Sequence, residues 1–162
     1  MHGGVPRPSV RWLGTQLAGG ISDECGRCGL AGIRSVEERN PQLAAEVYHD
    51  DLEFHWPRPL PYAGSSYGLK ASLERRPGWA ETGNPFQSEA ERWLGARVVA
   101  ASEDEVVVLW HQRGRDRAGR WLDTPVLEFH QVRDGKLARA QMFYFDPLAA
   151  AEFLATSGRQ MA

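Results

Sequence analysis

Residues 106–146, VVVLWHQRGRDRAGRWLDTPVLEFHQVRDGKLARAQMFYFD, hold three runs rich in Val, Leu, Phe, Trp and Tyr, parted by the polar turns GRDRAGR and RDGK. β-Branched and aromatic residues fit a pleated, half-buried surface, so the stretch predicts three consecutive antiparallel strands. Asp134-Gly135 between alternating apolar runs is the strongest short hairpin signal, because Gly takes the positive φ of a type I′ turn without steric cost. A two-residue loop sets Arg133 opposite Lys136. It then pairs Phe129 with Ala140, Leu127 with Met142, Pro125 with Tyr144 and Asp123 with Asp146 on one face. The other face carries Val126, Glu128, His130 and Val132 opposite Phe143, Gln141, Arg139 and Leu137. A bulge anywhere between 138 and 146 would invert part of this assignment.

By that register the first face is the wall of a ligand cavity. It has an apolar floor that includes Leu127, Phe129 and Met142, with Tyr144 and the carboxylates of Asp123 and Asp146 at one end. Facing carboxylates repel, so one would hold its proton near neutral pH and stand as an acid beside a base. The preceding strand, residues 106–113, is apolar on both faces and is expected centrally in the sheet, covered on both sides. It carries His111. One of its two parities puts Leu109 and His111 on the face of Asp123 and Asp146. Glu128 and His130 fall on the opposite face, toward solvent or a partner subunit.

The chain has 162 residues, enough for one domain with a sizeable core and no need of disulfide or metal staples. A formal net charge of -2 offers no basic footprint, so no nucleic-acid partner is expected. No run approaches the roughly 18 to 20 apolar residues of a membrane span. The N-terminus also lacks a basic segment followed by an apolar core, and a cytoplasmic location is expected. The only cysteines are Cys25 and Cys28, in ECGRCG. With no second CxxC or paired His nearby and no strand before them, they read as incidental thiols rather than a redox pair or half a zinc site.

Residues 1–29, dense in Gly and Pro, predict an extension draped over the domain or loosely ordered. The domain itself is expected over residues 30–157, with a tail at 158–162. Leu30, Ile33, Val36 and Glu37 suggest a short helix ending near Asn40. Pro41 then suits the first turn of a second helix, with Leu43, Ala44 and Val47 at helical spacing. In LEFHWP, Leu52, Phe54 and Trp56 share one strand face, while Glu53 and His55 share the other. Residues 68–75 predict a helix, and residues 86–101 a strand with Trp93 and Val98 or Val99 inside. After Asp146, PLAAAEFLATSG predicts a final helix with Pro147 at its first position and Gly158 as its stop.

This order of elements, with LPYAG followed by YGLKA, the hairpin FHQVRDGKL and the ending FYFDP before a helix, resembles the nuclear transport factor 2-like superfamily, and SnoaL-like cyclases and limonene epoxide hydrolases within it. The resemblance covers about residues 30–154. It implies an α+β fold in which a strongly curved antiparallel sheet and N-terminal helices enclose a pocket as a cone. Members include ketosteroid isomerase, polyketide cyclases, dehydratases and epoxide hydrolases, and also domains that only bind or dimerise. The epoxide hydrolase carboxylate of the last strand falls on Asp146. Its Arg-x-Asp pair falls on Leu109 and His111, so the Arg is missing and the Asp is replaced. A His with an Asp partner is closer to the acid/base pair that SnoaL-like cyclases use.

The candidate catalytic residues are therefore His111, Asp146, Tyr144 and Asp123. Each has a plain structural alternative: Asp146 before Pro147 is what an N-cap looks like, His111 a satisfied strand histidine, Asp123 a hairpin-rim residue and Tyr144 an ordinary strand aromatic. His55, Trp56, Tyr62 and Trp79 lie on segments that approach the cavity mouth in such a fold. They join Leu109, Leu127, Phe129 and Met142 as candidate substrate contacts. No metal-ligand spacing, phosphate-binding Gly loop or GxSxG elbow appears, and no cofactor is expected. Two functions follow. One is a cofactor-free acid/base enzyme acting on a small, mostly apolar carbonyl-bearing molecule. The other is a non-catalytic ligand-binding or dimerisation module, with an epoxide hydrolase-like hydrolase behind both. Phe143, Phe145, Val126 and Val132 on the second face suggest a homodimer in either case.

Overall fold

The computed structural model describes residues 21–74, 87–88 and 90–157. Helices α1 (Ile21–Glu37) and α2 (Pro41–Val47) lead into strands β1 (Tyr48–Trp56) and β2 (Gly64–Tyr67). Helix α3 (Leu69–Glu74), a single 3-10 turn (Ala90–Arg92), β3 (Arg97–Ala101), β4 (Glu105–Arg115), β5 (Trp121–Arg133), β6 (Lys136–Tyr144) and α4 (Pro147–Ser157) complete the chain. The six strands form one curved, open sheet in the order β2-β1-β6-β5-β4-β3. All neighbours are antiparallel except β1 and β6, which run parallel. The α+β architecture expected from the sequence is the one observed.

Helix α1 begins well before Leu30, so residues 21–29 are helix and not loose extension. Its glycines mark close packing. A Cβ on Gly29 would stand 3.0 Å from methyls of Val106 and Val108, and one on Gly32 only 2.6 Å from Leu137 Cδ1. Acidic Asp23 and Glu24 open the helix and Arg34 lies in its last turn, each complementing the helix dipole. The helix ends in paired reverse bonds, Asn40 N to Ser35 O and Arg39 N to Val36 O, with Arg39 at φ 52 in the left-handed position usually given to glycine. Asn40 in turn caps α2, accepting from Leu43 N at 3.0 Å.

The Asp134-Gly135 turn has both residues at positive φ, and Arg133 pairs with Lys136 as the turn chemistry requires. The register then slips by one residue. Val132 pairs with Leu137 but Gln131 with Arg139, so Ala138 is the extra residue of a bulge. Beyond it Phe129 faces Gln141 rather than Ala140, Leu127 faces Phe143 rather than Met142, and Val126 faces Tyr144. Asp123 and Asp146 are not opposite one another.

The slip decides which side chains lie under the helices. Val106, Val108, Trp110 and Gln112 of β4 share the buried inner face with Leu122, Thr124, Val126, Glu128 and His130 of β5 and Leu137 and Ala140 of β6. Tyr48, Leu52, Phe54 and Trp56 of β1 continue it, in the parity expected. Glu128 and His130 were expected on the outer face, as was Val126. All three are buried instead, with exposures of 1%, 0% and 0%. On β4 one face is buried, and among the described residues no helix covers the other. Trp93, expected inside, is exposed in the loop before β3, and Val99 is exposed as well.

Candidate functional site

Between the inner face of the sheet and helices α1 to α3 lies a cavity of about 470 Å³, in the size range of small-molecule sites. Six aromatic residues stand in its wall: Tyr48, Phe54, Trp56, Tyr62, Trp110 and Tyr144. Phe54 and Trp56, two apart on one strand face, stack at 4.3 Å, and Tyr62 meets Trp56 edge-on at 6.3 Å.

Polar groups reach this cavity in two places. On the sheet wall, the carboxylate of Glu128 accepts a hydrogen bond from Trp110 Nε1 at 2.8 Å. Tyr144 donates its hydroxyl to Gln112 Oε1 at 2.8 Å, and the Tyr62 hydroxyl lies 3.5 Å from that of Tyr144. Burial pushes the Tyr62 phenol up to about 12, against a small opposing effect of the Tyr144 hydrogen bond. Tyr144 is raised well above its ordinary value, first by burial and then by Tyr62 and the Glu128 charge. Both hydroxyls therefore keep their protons and serve as donors.

His130 sits beside Glu128 with its Nε2 at 3.8 Å from Oε1, too long for a hydrogen bond. Neither ring nitrogen has a hydrogen-bond partner among the described residues. Burial pulls its pKa down to about 3, so the ring is neutral and forms no ion pair. The second polar place is the rim, where α1 ends and the 3-10 turn passes. Glu37, Arg39, Asn40 and Arg92 line it, with Glu37 Oε1 accepting from Leu94 N at 2.5 Å.

Of the residues singled out from the sequence, Tyr144, Trp56, Tyr62 and Met142 line the cavity. His111 and Asp123 do share a face, 2.6 Å apart between Nδ1 and Oδ1, with Arg113 Nε on the other carboxylate oxygen at 3.0 Å. It is the outer face, turned from the cavity, and Leu109, Leu127 and Phe129 alternate onto it for the same reason. Asp146 is exposed and caps α4, its Oδ1 accepting from Ala149 N at 2.9 Å. His55 also lies on the outer side of β1, with Nδ1 2.8 Å from Ser65 Oγ and Nε2 2.8 Å from Glu53 Oε1. Trp79 lies outside the described residues.

Glu128, Gln112 and Trp110 were not anticipated in the cavity. One signal pointed there: His111, Arg113 and Arg115 share a parity in β4, and three polar groups on one side mark that side as outer. The β4 to β5 ladder then carries Glu128 inward, opposite Val108. Cys25 and Cys28 lie on α1, and burial raises both thiols, Cys28 to about 11. Protonated at neutral pH, they make poor nucleophiles. Among the described residues no helix is long and apolar enough to cross a membrane.

No curated protein sequence matches the chain. Solved structures do resemble it. One is Bal32a from a soil-derived mobile gene cassette, at TM-score 0.69 and 15% identity over 83% of this chain and 99% of that one. A putative SnoaL-like polyketide cyclase from Jannaschia sp. CCS1 gives 0.64 and 15% over 86% and 97%. TerC, co-crystallised with polyporic acid, gives 0.60 and 19% over 82% and 98%. At these identities the likeness is one of fold. Residues 31–140 match the model of the SnoaL-like domain. That match, over more than half of the chain, makes it a member of the SnoaL-like domain family.

Proposed function

We propose that the protein is a cofactor-free acid/base enzyme of the isomerase, cyclase or dehydratase type, acting on a small, mostly apolar carbonyl-bearing molecule. One observation carries this reading: a carboxylate with 1% exposure, Glu128, lies in the wall of an aromatic cavity beside two protonated phenols. Glu128 takes a proton from the carbon next to the carbonyl. Tyr62 donates to the oxygen as negative charge develops on it, in a site where low dielectric strengthens the bond, while Tyr144, its proton on Gln112, lies behind the Tyr62 hydroxyl. Trp110 holds one carboxylate oxygen and so fixes the base. In this reading Glu128 does what the residue pattern assigned to His111 and Asp146, since only a group within hydrogen-bond reach of the substrate can move its proton. TerC, of the same fold, was crystallised with polyporic acid, which accords with a pocket for small organic molecules.

The test needs no knowledge of the natural substrate. A bound aromatic ketone such as acetonaphthone exchanges the protons beside its carbonyl for deuterium in deuterium oxide, read by NMR. Wild type is expected to accelerate the exchange and Glu128→Gln to lose about 10²- to 10⁴-fold of that rate. Binding without acceleration would instead favour the non-catalytic binding module. Exposed Phe143 and Phe145 on the uncovered outer face support a homodimer formed through it. Sedimentation showing only monomer at high concentration would overturn that part.

A further inference from the structure

The acid/base reading uses the polar groups on the sheet wall and leaves those on the rim without a task. Arg39 occupies the left-handed position that ends α1, where glycine is the unstrained choice, and it is an exposed residue at the cavity edge. Arg92 is set by a small, well-tied turn. Ser88 N and Glu91 Oε2 bond at 2.9 Å, Arg92 N reaches Ser88 O at 3.2 Å, and the guanidinium donates to Gln87 O at 3.2 Å. The carboxylates nearby are engaged elsewhere: Glu91 pairs with Arg115, and Glu37 receives the Leu94 N–H. Neither Arg39 nor Arg92 forms an ion pair with a described carboxylate. Two arginines thus edge an aromatic cavity, with Glu37 beside them on the rim and Glu128 across from them on the sheet wall.

We infer that the cavity takes a flat aromatic keto acid, with its carboxylate held at the rim by Arg39 and Arg92 and its carbonyl turned toward Tyr62 and Tyr144. The carbonyl end of this inference rests on the acid/base reading, whereas the carboxylate end stands on the rim alone. Guanidinium groups match carboxylates in geometry and charge. The stacked Phe54 and Trp56 offer a ring face to the body of the ligand. With the arginines at the rim and the phenols on the sheet wall, one orientation of such a ligand satisfies both ends. The arginines then select the substrate and point its reacting carbon at the base.

Calorimetric titration of the full chain with acetonaphthone and with its carboxylated counterpart, acetylnaphthoate, tests this directly. Wild type is expected to bind acetylnaphthoate at least about tenfold more tightly. Raising sodium chloride from about 0.05 to about 0.5 M should weaken that ligand alone. The Arg39→Gln/Arg92→Gln double variant is expected to lose the preference, bringing the two affinities to within about twofold of each other, with the loss falling mainly on acetylnaphthoate. Equal affinity for the two ligands in wild type, binding of neither, or acetylnaphthoate affinity indifferent to the double substitution would each overturn the inference. Failure of the acid/base reading shows differently: Glu128→Gln would leave deuterium exchange intact while the arginine dependence of binding persisted.

Discussion

Replacing Gly32 by alanine puts a methyl carbon 2.6 Å from Leu137 Cδ1 and 3.1 Å from the Tyr48 hydroxyl, closer than packed atoms tolerate. Leu137 has no exposed surface and Tyr48 only 1%, so the Leu137 methyl must leave its packed rotamer or α1 must lift. At Gly26 the same methyl would meet only the Val98 methyls among the described residues, the nearer at an ordinary 3.5 Å. Both sites lie inside α1, and each gains about 1 kcal/mol from exchanging glycine for the better helix former. That gain cancels in the comparison. What remains is the overpacking cost at Gly32, about 1–3 kcal/mol. Gly26→Ala should therefore stabilise the protein, while Gly32→Ala should fall about 1–3 kcal/mol below it in urea unfolding at unchanged m. For a chain of this length the gap is about 2–12 °C in Tm, at roughly 2–4 °C per kcal/mol. Because α1 also carries Ile33, Val36 and Glu37 of the cavity wall, the Gly32 variant should bind ligands less well. If the two variants agree within about 0.5 kcal/mol, the account of α1 pressed onto β6 is wrong.

Two further outcomes are expected. His130 binds its proton at about 3 in the folded chain and near 6.5 once unfolded, so the unfolded state holds more protons in between. Its share of stability is present above pH 6.5 and drains as the pH falls toward 3, at up to about 1.4 kcal/mol per pH unit. His130→Leu should flatten the dependence of the urea midpoint on pH in that window; a slope identical to wild type would count against a neutral buried ring. Asp146→Ala removes the α4 cap and should cost about 0.5–2 kcal/mol while leaving deuterium exchange of acetonaphthone unchanged. A loss of exchange beyond about tenfold in a folded variant would return Asp146 to the chemistry.

Local chemistry was legible along most of the chain. The Asp134-Gly135 turn, the alternation in β1, Pro147 opening α4 and Asp146 before it each state a backbone preference that short-range sterics enforce. The helical start of α1 was hidden because its glycines look like loop residues to a composition argument. Their reason is a flat contact with Val106, Val108 and Leu137, far away in sequence. Trp93 failed for the opposite cause: an aromatic in a short apolar run reads as core, yet the segment before β3 is a turn that leaves it outside.

The sequence by itself determined the elements, their order and the family they build, since periodicity, turns and caps act over a few residues at a time. It also determined that carboxylates, phenols and aromatic rings would meet in this part of the chain. Only the tertiary structure decided which of them face the cavity. One additional residue at Ala138 exchanges the faces of β5 relative to β6, so that Glu128 and not Asp123 joins Met142 and Tyr144 at the cavity. β5 is apolar on both of its faces, so nothing within that strand records which one the helices cover. Glu128 therefore went unseen until the sheet was folded against α1, and His111 with Asp123 looked inward until it was.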